Sequence, residues 1–144
     1  ECKDNKKIVL SAVKQSGSAL RYASTRLKRN REVVSVAVKQ DGGSLMYVAD
    51  ELRCDRDIIL TAVKQMGSVL EFASDSLKDD QEVVFTAMSV DERALKYASP
   101  SLRHGGLYTY VKSVISRYSI SAEVFRSVFI LGLRTSAASQ SSDD

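Results

Sequence analysis

The sequence predicts an all-α fold: a short α-solenoid of four two-helix, 25-residue repeats with a C-terminal helical cap. Three observations carry this expectation. First, the chain writes nearly the same thirteen residues twice, "AVKQSGSALRYAS" from Ala12 to Ser24 and "AVKQMGSVLEFAS" from Ala62 to Ser74. Second, the underlying period is half that distance. Stepping by 25 from Ala12 gives Ala37, Ala62 and Ala87, and Leu20 leads likewise to Leu45, Leu70 and Leu95. Self-similarity at a fixed period of this size is the signature of stacked supersecondary units. Third, with one Pro, seven Gly and no Trp in 144 residues, and 44% apolar residues, the composition favours helices and can bury a core.

The units fall at about 6–30, 31–55, 56–80 and 81–105, with residues 1–5 as the tail of a preceding unit. Each opens on Asn5, Asn30, Asp55 or Asp80, side chains that cap a helix by accepting from a free backbone N–H. Apolar residues follow at i, i+1, i+4 and i+5, as in Ile8, Val9, Ala12 and Val13, which lie on one helical face. Gly17, Gly42 and Gly67 are expected to stop this helix in the left-handed conformation that glycine tolerates. A second helix carries Leu20, Tyr22 and Ala23, and a short turn holds Leu27. One such unit cannot bury its apolar face alone, so the units must stack. "ECKDN" aligns with "RLKRN", placing Cys2 in the slot of Leu27. That register predicts a further repeat or domain before Glu1, and a small buried thiol in an intact array.

These residues resemble the Domain of Unknown Function 4116 repeats. The acidic cap, the "EVV" of Glu32-Val33-Val34, the "AVKQ" of Ala62 to Gln65 with Gly67, and the "ALRYAS" of Ala19 to Ser24 carry the likeness over residues 1 to about 105. It implies tandem helical modules like those in effector proteins of intracellular bacteria and in algal and protist proteins. It brings no catalytic residues.

The fourth unit departs from the pattern. Ser89-Val90 replace Lys-Gln, and Glu92 stands in the glycine slot, with Asp91 able to cap the second helix. A terminal repeat is expected to differ in this way. Beyond it, Leu107, Tyr110, Val111, Val114, Ile115 and Tyr118 have amphipathic spacing. "AEVFRSVFILGL" then echoes a first helix, with Ile130-Leu131 where earlier units have Lys-Gln. Residues 106–133 therefore read as a helical extension. Residues 134–144 are a polar tail, expected to be disordered when alone.

No catalytic template fits. His104, the single histidine, sits beside two glycines in "RHGG", and no Cys, Asp or Ser accompanies it in a recognisable arrangement. Cys2 and Cys54 lack CxxC spacing, and Cys54 aligns with the polar Arg29 and Asp79. A reducing intracellular or organellar compartment is the simpler reading of so few thiols. No metal or other cofactor is expected. The charge of +3, from 21 basic and 18 acidic side chains, is spread along the chain, which argues against nucleic acid as a partner. The longest wholly apolar run, Val128 to Leu131, cannot span a bilayer, and peripheral membrane contact stays open through the C-terminal helix alone.

The expected role is a non-enzymatic protein-binding scaffold or accessory subunit of a larger assembly. The first alternative is a bacterial effector, or an effector regulator, that acts by occupying a target protein surface; the second, which the balanced charge argues against, is a nucleic-acid-binding helical repeat. Candidate partner-binding residues are Ile130, Leu131, Phe125 and Phe129 in the C-terminal helix, with a row of Lys14, Lys39 and Lys64. The simpler reading of that row, with Gln15, Gln40 and Gln65, is a solvated face copied by duplication. Lys28, Arg53, Lys78 and Arg103 form a second basic row suited to helix C-terminal ends. The aromatic row Tyr22, Tyr47, Phe72 and Tyr97 is expected in the core rather than as a base-stacking platform.

Overall fold

The computed structural model describes residues 2–105, and all regular structure among them is helical. The expected caps are in place. The side chains of Asn5, Asn30, Asp55 and Asp80 accept from backbone N–H groups two or three residues on, as in Val33 N to Asn30 Oδ1 at 3.2 Å. They open α1 (Lys6–Gln15), α3 (Arg31–Gln40), α4 (Arg56–Val63) and α6 (Gln81–Val90).

The rest of each unit differs from the two-helix expectation. The second segment is a 3-10 helix: Gly17–Tyr22, Gly42–Tyr47, Gly67–Phe72 and Glu92–Tyr97. It lies between residues with extended backbone, such as Ser16 and Ala23. Six residues at about 2.0 Å rise reach further than an α-helix of equal length at about 1.5 Å, so the tighter winding spans the unit. The turn containing Leu27 is itself helical, α2 (Thr25–Lys28), and α5 (Asp75–Lys78) repeats it. Asp50–Leu52 forms a 3-10 turn at the corresponding place in the second unit.

The units stack in chain order. α1 packs on α3, α3 on α4 and α4 on α6, while the 3-10 segments form a second row, each against the next. Between the rows lie Val13, Leu20, Val34, Val38, Leu45, Ile59, Val63, Leu70 and Val84, all buried. One backbone bond recurs at every step: Ser24, Ala49, Ser74 and Ser99 donate N–H to the carbonyls of Lys3, Lys28, Arg53 and Lys78 at 2.8 to 3.2 Å. Each third segment is thereby tied to the one before it, whatever its side chains.

The glycines act differently from the left-handed stop expected of them. α1 and α3 end because Ser16 and Asp41 turn to extended backbone, and the second segment starts immediately after. Glycine is needed for space. A Cβ on Gly42 would lie 2.8 Å from the Ala62 carbonyl oxygen of the next unit. A Cβ on Gly17 or Gly67 would press still closer on the carbonyl of Ala37 or Ala87. The close approach recurs every 25 residues, so the glycine recurs too.

Among the described residues, two buried positions, Ser44 and Thr86, break the apolar rule. The Ser44 hydroxyl is buried without a hydrogen-bond partner, in the slot that holds Ala19, Val69 and Ala94 in the other units. Removing an unsatisfied buried hydroxyl is worth about 1 kcal/mol or more. Ser44→Ala should therefore raise the urea midpoint by that equivalent, and a lower midpoint would mean that the hydroxyl is bonded. The chain divides between Ser99 and Pro100, so α7 (Pro100–His104) is described by itself.

Candidate functional site

The chemistry of the molecule is concentrated at the seams between units. In the first three units, the first residue of the first helix reaches across to the start of the next unit's first helix. Lys6 pairs with Glu32 at 2.6 Å; Arg31 pairs with Asp55 at 2.6 Å and Asp57 at 3.2 Å; Arg56 pairs with Asp80 at 3.0 Å and Glu82 at 2.6 Å. Arg31 and Arg56 thus each bond the carboxylate that caps the next first helix, while Lys6 reaches Glu32 in the first turn of a helix capped by Asn30. Asp55 is held below the usual carboxylate range by the Arg31 hydrogen bond and by the Ile58 and Asp57 backbone N–H groups. At Asp80 burial opposes ionisation, but the Arg56 hydrogen bond and the Val83 N–H outweigh it and the net shift is downward. Asp80 and Glu82 raise the Arg56 guanidinium in turn.

A carboxylate depressed on folding contributes stability above its unfolded value, and that contribution is lost as pH falls through the folded value. The seam should accordingly weaken on acidification below about pH 4. In Arg56→Gln the acid limb should be shallower, with a loss of about 1 kcal/mol or less at neutral pH because the pairs are partly exposed. Acid titrations of the two proteins monitored by circular dichroism compare the limbs directly, and parallel limbs would remove Arg56 from the acid response.

A second clamp comes from Gln65. Its amide donates to the carbonyls of Val38 at 2.9 Å and Lys39 at 3.2 Å, and its oxygen accepts from Gly42 N–H at 2.9 Å. One side chain thus satisfies the end of α3 and the start of the next segment. Gln65 belongs to the seam, which corrects the expectation that it shares a solvated face with its lysine neighbour. Lys14, Lys39 and Lys64 are exposed, as the simpler reading expected.

The aromatic row is also placed differently from expectation. Tyr22 is 62% exposed, and Tyr47, Phe72 and Tyr97 are half-buried at the surface. Cations cover three of the rings: Arg21 over Tyr22 at 4.8 Å, Arg53 over Phe72 at 5.7 Å and Lys96 over Tyr97 at 4.6 Å. The aliphatic and small residues between the rows already fill the interior, so the rings lie across the edge of the stack. Arg53 also donates to the carbonyls of Val48 and Met46, at 3.1 and 3.4 Å, near the end of the second unit's 3-10 segment. This is the helix-end role expected of the second basic row. Cys54 is exposed, as its alignment with polar residues predicts, and so is Cys2, expected to be buried in an intact array. The slot is apolar only where another unit covers it, as happens to Leu27.

His104 is exposed. Among the described residues no group of three or more His, Cys, Asp or Glu is placed to hold a metal ion, and no helix is long and apolar enough to cross a membrane. Phe125, Phe129, Ile130 and Leu131, the extension 106–133 and the tail 134–144 lie outside the described residues. The cation–carboxylate ladder was absent from the reading of the sequence. Its signal was there as Lys6, Arg31 and Arg56, each followed after 26 residues by Glu32, Asp57 and Glu82.

The fold and the seams define a class: an all-α protein of tandem helical units joined by periodic polar clamps. The chain belongs to the family described as Domain of unknown function (DUF4116), whose model matches residues 5–53 and again 55–103. Each match covers two units. Comparisons with curated proteins and with solved structures give no match.

Proposed function

We propose that the chain is a non-enzymatic, protein-binding repeat scaffold, acting as an accessory subunit of a larger assembly. The observation that carries this reading is a pair of exposed thioethers, Met46 on the second unit's 3-10 segment and Met66 immediately before the third unit's. Met46 and Met66 are 48% and 45% exposed. The tip of Met66 comes within 3.8 Å of where a Gly43 side chain would begin, and in a 3-10 helix residues 43 and 46 share a face. Two flexible apolar side chains from successive units therefore flank one strip of surface. Unbranched thioethers adapt their shape to protein partners; exposed Lys39 and Lys64 offer polar anchors on the same repeats, and Tyr22 and Lys14 offer them on the preceding one.

The test is a paired measurement on Met46→Lys/Met66→Lys. The double variant should melt within about 2 °C of the wild type, because neither side chain is buried. It should also lose, by at least about ten-fold in recovery, a protein that co-purifies with the wild-type chain. Undiminished recovery would remove this strip from the binding surface.

A further inference from the structure

The seam repeats three times, and each copy joins a trailing face to a leading face. The trailing face presents a glycine and a first-helix cation. The leading face presents a helix whose first apolar residue is covered. Val33, Ile58 and Val83 hold that position at 0 to 2% exposure, whereas Ile8 in the first unit is 49% exposed. Ala12 is likewise more open than the buried Ala37, Ala62 and Ala87, whose carbonyls meet the glycines. Cys2 to Asn5 keep the register of Leu27 to Asn30, down to the Lys3 carbonyl that accepts from Ser24 as Lys28 does from Ala49. The first unit thus carries every backbone feature of a leading face.

We infer that this leading face docks the trailing face of another unit of this repeat, one with a glycine opposite the Ala12 carbonyl and an acidic residue opposite Lys7. The charge requirement follows from the ladder. Glu32, Asp57 and Glu82 receive the preceding unit's cation, and Lys7 occupies the corresponding position in the first unit. A trailing face headed by Lys or Arg, like those of the first three units, would set two cations together there. Like charges at close range select against a wrong neighbour as effectively as opposite charges select the right one.

A second copy of this chain does not meet the requirement. The trailing faces of its first three units are covered by the units that follow, and the fourth carries Glu92 in the glycine slot and Gln81 in the cation slot. Glu92 places a Cβ where the other seams bring a carbonyl within 3 Å. The faces are therefore polar in order: the leading end continues the pattern, and the fourth unit departs from it at both positions.

The experiment appends a copy of residues 56–75 directly before Glu1, completing a unit with residues 1–5. Three forms are compared: the unaltered copy, a copy with Arg56→Glu, and that second copy with Gly67→Val. The glutamate form should raise the melting temperature by about 5 °C and slow amide exchange in α1 by about ten-fold. The unaltered arginine form should gain less, and the difference should shrink in 1 M salt. The valine form should lose the gain. Ile8→Lys should leave the native chain's melting unchanged and abolish the gain from the glutamate copy. Exchange in α1 that is the same with and without the glutamate copy would overturn the docking. An arginine form as stabilising as the glutamate form would overturn the charge selection.

Discussion

Gly67→Val is expected to destabilise the protein by about 3 kcal/mol, at the upper end of what overpacking costs. The valine Cβ would press on the Ala87 carbonyl, and main chain cannot swing aside as the end of a side chain can. The damage should be directional, loosening α6 and the segment beyond it before it reaches α1, because each unit is held by its immediate neighbours. Gly43→Ala provides the control. Its Cβ would approach the Asp41 carboxylate at 3.1 Å and the tip of Met66 at 3.8 Å, both able to move. Ser18, Ser68 and Arg93 already stand at that position in the other units. The control should remain within about 0.5 kcal/mol of the wild type. Denaturant titration of both variants separates the two glycines, and equal losses would contradict the close-approach explanation.

Leu45→Ala should cost about 2–5 kcal/mol. Leu45 is fully buried between the 3-10 segments on either side and α3. A cavity there is shared by two seams, so neighbouring units cannot close it without breaking a backbone clamp such as Ala49 N to Lys28 O at 3.2 Å. Lys39→Ala, six residues earlier on an exposed position, should be nearly neutral. Urea midpoints rank the two, and a larger loss for the lysine would reverse the assignment of inside and outside.

The period, the caps and the aliphatic core were legible in the sequence because each is written within a single unit. Asn30 before a helix, or Leu45 at its fixed place, needs no knowledge of the next unit. What was missed or misread concerns contacts between units. Gly17 recurs for either of two reasons, a backbone angle or a close neighbour, and only the position of the Ala37 carbonyl distinguishes them. Arg56 and Glu82 look like ordinary solvated charges until α4 and α6 are set side by side. Gln65 looked like the twin of Lys64, yet it reaches back to the carbonyl of Val38. Tyr22 was expected inside because aromatic residues at a fixed repeat position usually pack there. The aliphatic residues filled that space first, and Arg21 stacks over its ring.

The departures of the fourth unit acquire a shared cause from the seams. Gln81 in place of a cation and Glu92 in place of Gly each remove one feature used to hold a following unit, while Val90 lacks the amide with which Gln65 reaches back to the unit before it. Two changes on the face turned to a following unit mark the end of a repeat pattern more firmly than loss of sequence similarity does.

The central claim is that stability is transmitted from unit to unit across these seams. Native-state amide exchange of wild type and Gly67→Val, resolved along residues 2–105, tests it most directly. The account predicts that protection falls steeply in α6, less in α4 and least in α1, leaving the first two units close to wild type. A uniform loss of protection across all four units would contradict it, and so would a loss confined to the mutated segment.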